Sequence, residues 1–172
     1  MRKLRLAVAP SLALAIASGA CAPQGGAAPP AEAVTVDTAA VVTGVADLWA
    51  KWAVADTAED LDAFMALMTD DVRLDAKGFP AMIGKESMRA TMAPLYSQVD
   101  YLEASVAAEA TTAVSNELAY QRGTYRERYT MKGQPGEMTD YGRYAAAFAK
   151  GADGQWRWAY MMAFVDSTTT RK

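Results

Sequence analysis

The chain has 172 residues, 52% of them hydrophobic and 22% charged, with a formal net charge of −3. That is a globular composition, at a length suited to one compact domain. With no histidine and a single cysteine, the sequence excludes histidine triads and bases, His-rich metal sites, an intrachain disulfide and thiolate zinc clusters. Any chemistry must come from carboxylates, Tyr, Arg, Lys, Ser and Thr.

At the N-terminus, Arg2, Lys3 and Arg5 precede an apolar run from Leu6 to Ala17, interrupted by Pro10 and Ser11. The run is shorter than the roughly 20 residues that span a membrane. Small residues Ser18, Gly19 and Ala20 follow, so residues 1–20 read as a secretory signal peptide. The one cysteine, Cys21, comes next. This placement resembles the lipobox of bacterial lipoproteins, with Ser18 where a leucine is usual. Acyl chains on Cys21 would hold the protein on a membrane surface without spanning it. Ala22 stands in place of the aspartate linked with inner-membrane retention. The resemblance therefore implies a lipoprotein on the periplasmic face, most simply of the outer membrane. Ordinary cleavage near Ala20, with Cys21 a bystander, is the alternative. Residues 21–36, rich in Pro, Gly and Ala, read as a lipidated cysteine and a flexible tether. Loss of the basic leader makes the mature domain more acidic, which argues against nucleic acid as a partner.

The domain proper is expected over residues 37–168, with 169–172 as a tail. From Thr38 to about Ala55, Val41, Val45, Leu48, Trp49 and Trp52 fall on one helix face, capped by Asp37 or Thr38. A second helix is predicted to start at the capping-box pattern Asp56-Thr57-Ala58-Glu59, bury Leu61, Phe64, Met65 and Met68, and end at Asp70-Asp71. A short extended piece, Val72 to Asp75, leads to a turn around Gly78 to Pro80. A third helix follows Gly84, with Met88, Met92, Leu95 and Tyr96 inward and Pro94 predicting a kink or early end. Four strand-like runs complete the chain: Val99–Ala110, Leu118–Met131, Tyr141–Lys150 and Gln155–Asp166. Helices first and an antiparallel meander afterwards make the domain α+β.

The order Trp49-x-x-Trp52, Glu59-Asp60-Leu61-Asp62, Met68-Thr69-Asp70-Asp71, Ile83-Gly84-Lys85-Glu86, Asn116-Glu117-Leu118-Ala119-Tyr120, Arg122-Gly123-Thr124-Tyr125 and Asp153-Gly154-x-Trp156 resembles the SnoaL-like branch of the nuclear transport factor 2-like superfamily. The most similar group is domain-of-unknown-function family 4440. The resemblance runs from Thr38 to Asp166 and implies a cone: three N-terminal helices packed in a strongly curved antiparallel sheet, with a pocket at the open end.

Ketosteroid isomerases of this superfamily use an aspartate base, a tyrosine and a protonated aspartic acid. The resemblance places Trp52 at the tyrosine position, Ala76 at the base position and Ala146 at about the second acid. Isomerase chemistry of this kind is therefore not expected. The same comparison points Tyr120, Arg122, Thr124 and Arg126 into the cone, together with Tyr144, Ala146, Ala159, Met161, Ala163, Leu74 and Ala76. Trp49 and Trp52 would add apolar wall. These residues suit a pocket for a small, partly apolar molecule, with Arg122 as an anchor for a ligand carboxylate. Alternatively, Arg122 pairs with Asp71 or another acid and only ties elements together. Asp71 is the candidate acid if the domain is an enzyme of the cyclase, hydrolase or dehydratase kind. A third reading is a non-catalytic envelope protein. Nothing in the sequence calls for a metal or a cofactor. Hydrophobicity would turn Trp156, Trp158 and Tyr160 toward the core, whereas the resemblance turns them outward. Both hold if that outer face is buried in a homodimer, the expected assembly.

Overall fold

The computed structural model describes residues 35–172. The leader, Cys21 and most of the tether lie outside the described residues. Three helices, α1 (Thr38–Thr57), α2 (Leu61–Ala66) and α3 (Gly84–Gln98), pack on a curved, unclosed six-stranded sheet. Its strands are β1 (Met68–Ala76), β2 (Met82–Ile83), β3 (Val99–Ala113), β4 (Leu118–Met131), β5 (Glu137–Lys150) and β6 (Trp156–Arg171), in the order β2-β1-β6-β5-β4-β3. Neighbours are antiparallel except β1 and β6, which run parallel. The fold is the α+β cone of the nuclear transport factor 2-like superfamily.

Helix α1 forms as its pattern predicts. Asp37 caps it by accepting from the Ala40 amide at 2.9 Å. Its start is tied to the β3–β4 turn, where the Asp37 amide donates to Asn116 Oδ1 at 2.7 Å and Asn116 Nδ2 donates to the Thr35 carbonyl. The buried stripe Val41, Val45, Leu48, Trp49, Trp52 and Ala55 faces the sheet. Trp49 is its centre, with ring centroids of Trp52, Tyr144, Phe148 and Trp158 at 5.4, 4.8, 6.0 and 5.0 Å. Fully burying one such large side chain contributes on the order of 3 kcal/mol. The Trp156 ring lies directly over Gly44, so close that a Cβ there would collide with it.

The second helix differs from its sequence pattern. Asp56 is not a cap but the last buried residue of α1, which continues to Thr57. Glu59 then takes a left-handed φ of 55° to turn the chain, and Asp60 caps α2 by accepting from the Ala63 amide at 2.9 Å. The expected helix is thereby cut to one and a half turns, and Met68 to Asp71 belong to β1. Pro94 sits inside α3 without ending it. Strand β6 runs to Arg171, through the expected tail.

Curvature comes from unpaired extra residues in the edge-to-centre ladders. Leu102 and Glu109 are extra in β3, and Ala159 and Asp166 in β6. The bulge at Ala159 resolves the conflict over the last strand. Trp158 lies opposite Phe148 and Met161 opposite Ala146, so both point inward, while Tyr160, opposite Ala147, points outward. Trp156 and Trp158 are core residues of the subunit, 8% and 1% exposed, and are not available to the outer interface expected of them.

Candidate functional site: an acid and tyrosine cluster at the mouth of the cone

The sequence-predicted pocket residues separate into three places. Trp49, Trp52, Tyr144 and Ala146 are buried at the closed end of the cone. Two of their donors are taken up by Gln121: Trp49 Nε1 and Tyr144 OH both donate to Gln121 Oε1 at 2.7 Å, and Gln121 Nε2 donates to Thr111 Oγ1 at 2.7 Å. Leu74, Ala76 and Met161 are half-buried on the inner face, packed against the margin of the core. Tyr120, Arg122 and Thr124 are exposed on the outer face.

The last placement corrects the expected orientation of β4. Its inner set is Ala119, Gln121, Gly123, Tyr125, Glu127 and Tyr129, since Ala119 and Gln121 are buried while their neighbours are exposed. A shift of one residue turns every side chain of a strand to the other face. Arg122 pairs with Glu109 at 3.6 Å, both side chains more than half exposed, a contact that contributes little. The partner of Arg122 is thus not Asp71 but the other acid that the alternative allowed. Asp71 lies exposed on β1, three strand steps from β4, or about 14 Å. It shares no cavity with Arg122.

The run Arg126-Glu127-Arg128 has the composition of a solvated strand end, but the observed parity turns its middle residue inward. Glu127 faces the interior, opposite Ala104 on β3 and Asp140 on β5. Around it stand Tyr101 from β3, Tyr125 and Tyr129 from β4, Asp56 from α1 and Tyr96 from α3. The rings form a chain, with centroids 5.8 Å apart for Tyr96–Tyr101 and 6.0 Å for Tyr101–Tyr129. Tyr96 OH donates to Asp56 Oδ1 at 2.6 Å. Asp56 is only 2% exposed, and its Oδ2 has no hydrogen-bond partner among the described residues. Asp140 accepts from Tyr129 OH and from Thr168 Oγ1. Glu127 itself makes no side-chain hydrogen bond or ion pair among the described residues.

The cations nearest in sequence are engaged elsewhere. Arg126 and Arg128, flanking Glu127, point to the outer face, where Arg126 binds Glu103 and Arg128 binds Glu103 at 2.9 Å and Glu137 at 2.7 Å. Lys132 binds Glu59 at 2.7 Å and Asp100 at 3.3 Å. The interior carboxyls thus face one another without a positive charge. Burial, reinforced by the charges of Asp56 and Asp140, pushes the Glu127 carboxyl up to about 8. Burial likewise raises Asp56 to about 6, against the opposing hydrogen bond from Tyr96. Burial also lifts Tyr96, Tyr101 and Tyr125 well above the ordinary phenol range and Tyr129 to about 12. These tyrosines stay protonated donors throughout the physiological range.

The signal for this site was present in the sequence. Arg122, Arg126 and Arg128 share one parity on β4. Three arginines on one strand face mark the solvated side, and the same count turns Glu127 inward.

Three hollows are found among the described residues. One of about 490 Å³ is lined by the β4–β5 hairpin and Arg171. Another of about 330 Å³ lies around Thr124, Tyr125, Tyr141 and Asp166, and so touches the cluster at Tyr125. A third of about 300 Å³ lies around Arg126, Arg128 and Glu137. Glu127 and Asp56 line none of the three.

Residues 45–159, more than half of the chain, match the SnoaL-like domain profile. The chain belongs to the SnoaL-like family. Solved structures agree on the fold. A conserved protein from Planctomyces limnophilus aligns with a TM-score of 0.67 at 22% identity, covering 77% of this chain and 99% of that one. A ketosteroid isomerase-like protein from Erwinia carotovora atroseptica gives 0.60 at 21% identity, covering 80% and 98%. A hexachlorocyclohexane dehydrochlorinase from Novosphingobium barchaimii gives 0.62 at 12% identity, covering 77% and 91%. Identities this low show the fold alone. No curated protein matches the sequence.

Proposed function

We propose that this SnoaL-like domain binds a small, partly apolar organic molecule at the mouth of its cone and is held at the periplasmic face of a bacterial membrane through Cys21. The observation that carries the binding reading is Glu127: a half-buried carboxyl with no protein partner among the described residues, set among tyrosines on the concave face. The rings of Tyr101 and Tyr129 supply its apolar wall. Apolar wall with a few polar groups is the usual composition of a small-molecule site. Ketosteroid isomerase chemistry is not part of this reading, because Trp52, Ala76 and Ala146 occupy the positions where the resemblance expects the reactive groups. The chain enters the domain at Thr35–Asp37, beside Asn116. Helix α1 then carries it about 30 Å to Asp56.

The test is native mass spectrometry of the protein purified gently from its exported form. An adduct that disappears in Glu127→Trp, which would fill the mouth, is the expected result. No adduct, combined with no shift of the Tyr101 or Tyr129 ring resonances on exposure to mixed small metabolites, overturns the reading. An enzymatic role is favoured by one observation, the raised Glu127 carboxyl. An acid near 8 is placed to act as a general acid or base close to neutral pH. In that version Glu127 replaces Asp71 and Arg122 as the group to mutate.

The homodimer is proposed through the outer face with a different residue set. Tyr120, Ala147 and Tyr160 lie side by side across β4, β5 and β6, with Met162 and Phe164 next along β6. Tyr120 and Phe164 are 44% and 41% exposed. A monomeric mass at micromolar concentration in sedimentation equilibrium overturns the dimer.

A further inference from the structure

Building on the binding site proposed above, we infer that the ligand is an organic cation, an alkylammonium or quaternary ammonium group held between Glu127, Asp140 and the rings of Tyr101 and Tyr129. Three features of the mouth point to this class. First, Asp56, Glu127 and Asp140 come from α1, β4 and β5 without an arginine or lysine paired to any of them among the described residues. Once the cluster ionises, a cation pairs with its charge, whereas a neutral or anionic ligand leaves that charge uncompensated. Second, Asp56 is fully buried, yet its Oδ2 is without a hydrogen-bond partner among the described residues. Third, the charge is surrounded by aromatic rings, with Tyr101 and Tyr129 6.0 Å apart between centroids. Ring faces attract organic cations, and a carboxylate beside such rings is the usual chemistry for holding an ammonium group.

A metal ion fits less well. Among the described residues, no group of three or more acidic side chains converges closely enough to hold one. An ammonium group carrying alkyl substituents tolerates the wider spacing, because its charge spreads over a larger shell.

The groups facing Glu127 are acidic or phenolic: Asp56 from α1, Tyr96 from α3, Tyr101 from β3, Tyr125 and Tyr129 from β4 and Asp140 from β5. A cation must therefore bind with loss of a proton from Glu127 at neutral pH, and affinity must rise as the pH passes through about 8.

The experiment titrates the purified protein, monitored by the ring resonances of its tyrosines, with three isosteres: choline, the neutral 3,3-dimethylbutan-1-ol and the anionic 3,3-dimethylbutanoate. The expected result is choline binding tighter by about tenfold or more, the scale of one charge-assisted contact, with affinity rising from pH 7 to pH 9. Glu127→Gln removes the charge and keeps the shape, so it abolishes both the preference and the pH dependence. Glu109→Gln, on the outer face, changes neither. Equal binding of all three isosteres, or tighter binding of the neutral one, overturns the cation inference and leaves the site in place. Choline binding unaffected by Glu127→Gln also overturns it. No binding of choline at millimolar concentration overturns it too, and the site itself then stands or falls on the adduct experiment with Glu127→Trp.

Discussion

The two ends of the inner sheet face are built on opposite principles. At the closed end, Trp49, Trp52, Phe148 and Trp158 pack edge to face, and Gln121 takes the hydrogen bonds of Trp49 and Tyr144 while donating to Thr111. At the mouth, aromatic rings are again abundant, but they surround carboxyls that lack counter-charges. The first arrangement satisfies its polar groups and buries apolar area, which is how a core is stabilised. The second keeps like charges together in a poorly solvated place, which opposes folding. A single sheet carries both because α1 spans them, with Trp49 in its middle and Asp56 in its last turn. The contrast separates residues that hold the fold from residues the fold carries at a cost.

The largest effect expected is at the closed end. Trp158→Ala removes a side chain that is 1% exposed and touches both Trp49 and Phe64, and should cost about 3–5 kcal/mol. Met161→Ala, three residues on but half-buried at the margin of the core, should cost about 1 kcal/mol, since much of its surface is already in water. Chemical denaturation of the two variants checks this, and equal losses would remove the distinction between core and margin. Next comes Gln121→Ala. It leaves Trp49 Nε1 and Tyr144 OH buried without an acceptor, at a cost of about 2–4 kcal/mol for the unpaired groups and the cavity.

These two positions also show what the sequence could reveal. Trp49 and the α1 stripe were legible because a helical face repeats often enough to fix its phase. Gln121 was not, because β4 alternates two mixed sets and neither is plainly apolar. Hydrophobicity therefore could not choose the inner face, and only the shared parity of Arg122, Arg126 and Arg128 could. The last strand failed differently. Both readings of it were half right, since the bulge at Ala159 switches faces between Trp158 and Met161. The adjacent Met161-Met162 pair breaks the alternation there, but a bulge has no local sequence rule strong enough to place it. Asp56 was mistaken for a cap because the same residue types cap helices and end buried helix faces. What decided against it was Asp60, which forms the cap four residues later.

The mouth should answer in the opposite direction. The Glu127 carboxyl is raised in the folded protein to about 8 from an ordinary value of 4.5, so the native state holds the proton more tightly than the unfolded chain. The stability linked to this proton is fully present below about pH 4.5 and is lost as the pH climbs through 8. Asp56 acts in the same sense between its ordinary value of 3.8 and about 6. Glu127→Gln should therefore be nearly neutral at pH 5 and stabilising at pH 9, by on the order of 2 kcal/mol once partial exposure is discounted. Urea midpoints at the two pH values measure it. A destabilised variant at pH 9 would mean that the Glu127 carboxylate has a favourable partner after all.

The smallest expected effect bears on the face of β4 itself. Arg122 was the anchor of the sequence-derived pocket, and it lies instead on the outer face with Glu109 at 3.6 Å and both side chains well exposed. An exposed pair of this kind contributes less than about 0.5 kcal/mol, because water and salt screen it and two long side chains must be held still. Arg122→Ala should therefore leave the urea midpoint almost unchanged. It should also leave choline affinity unchanged, because the side chain points away from the mouth. Raising the salt concentration should erase even the small stability difference. A loss above 2 kcal/mol that survives high salt would place Arg122 among buried groups. The whole strand would then be turned over, with Glu127 on the outside and the acid cluster dissolved with it. The two arginine-flanked orientations of β4 are exclusive, so this one surface substitution, small as its effect should be, tests the foundation of the site at the mouth.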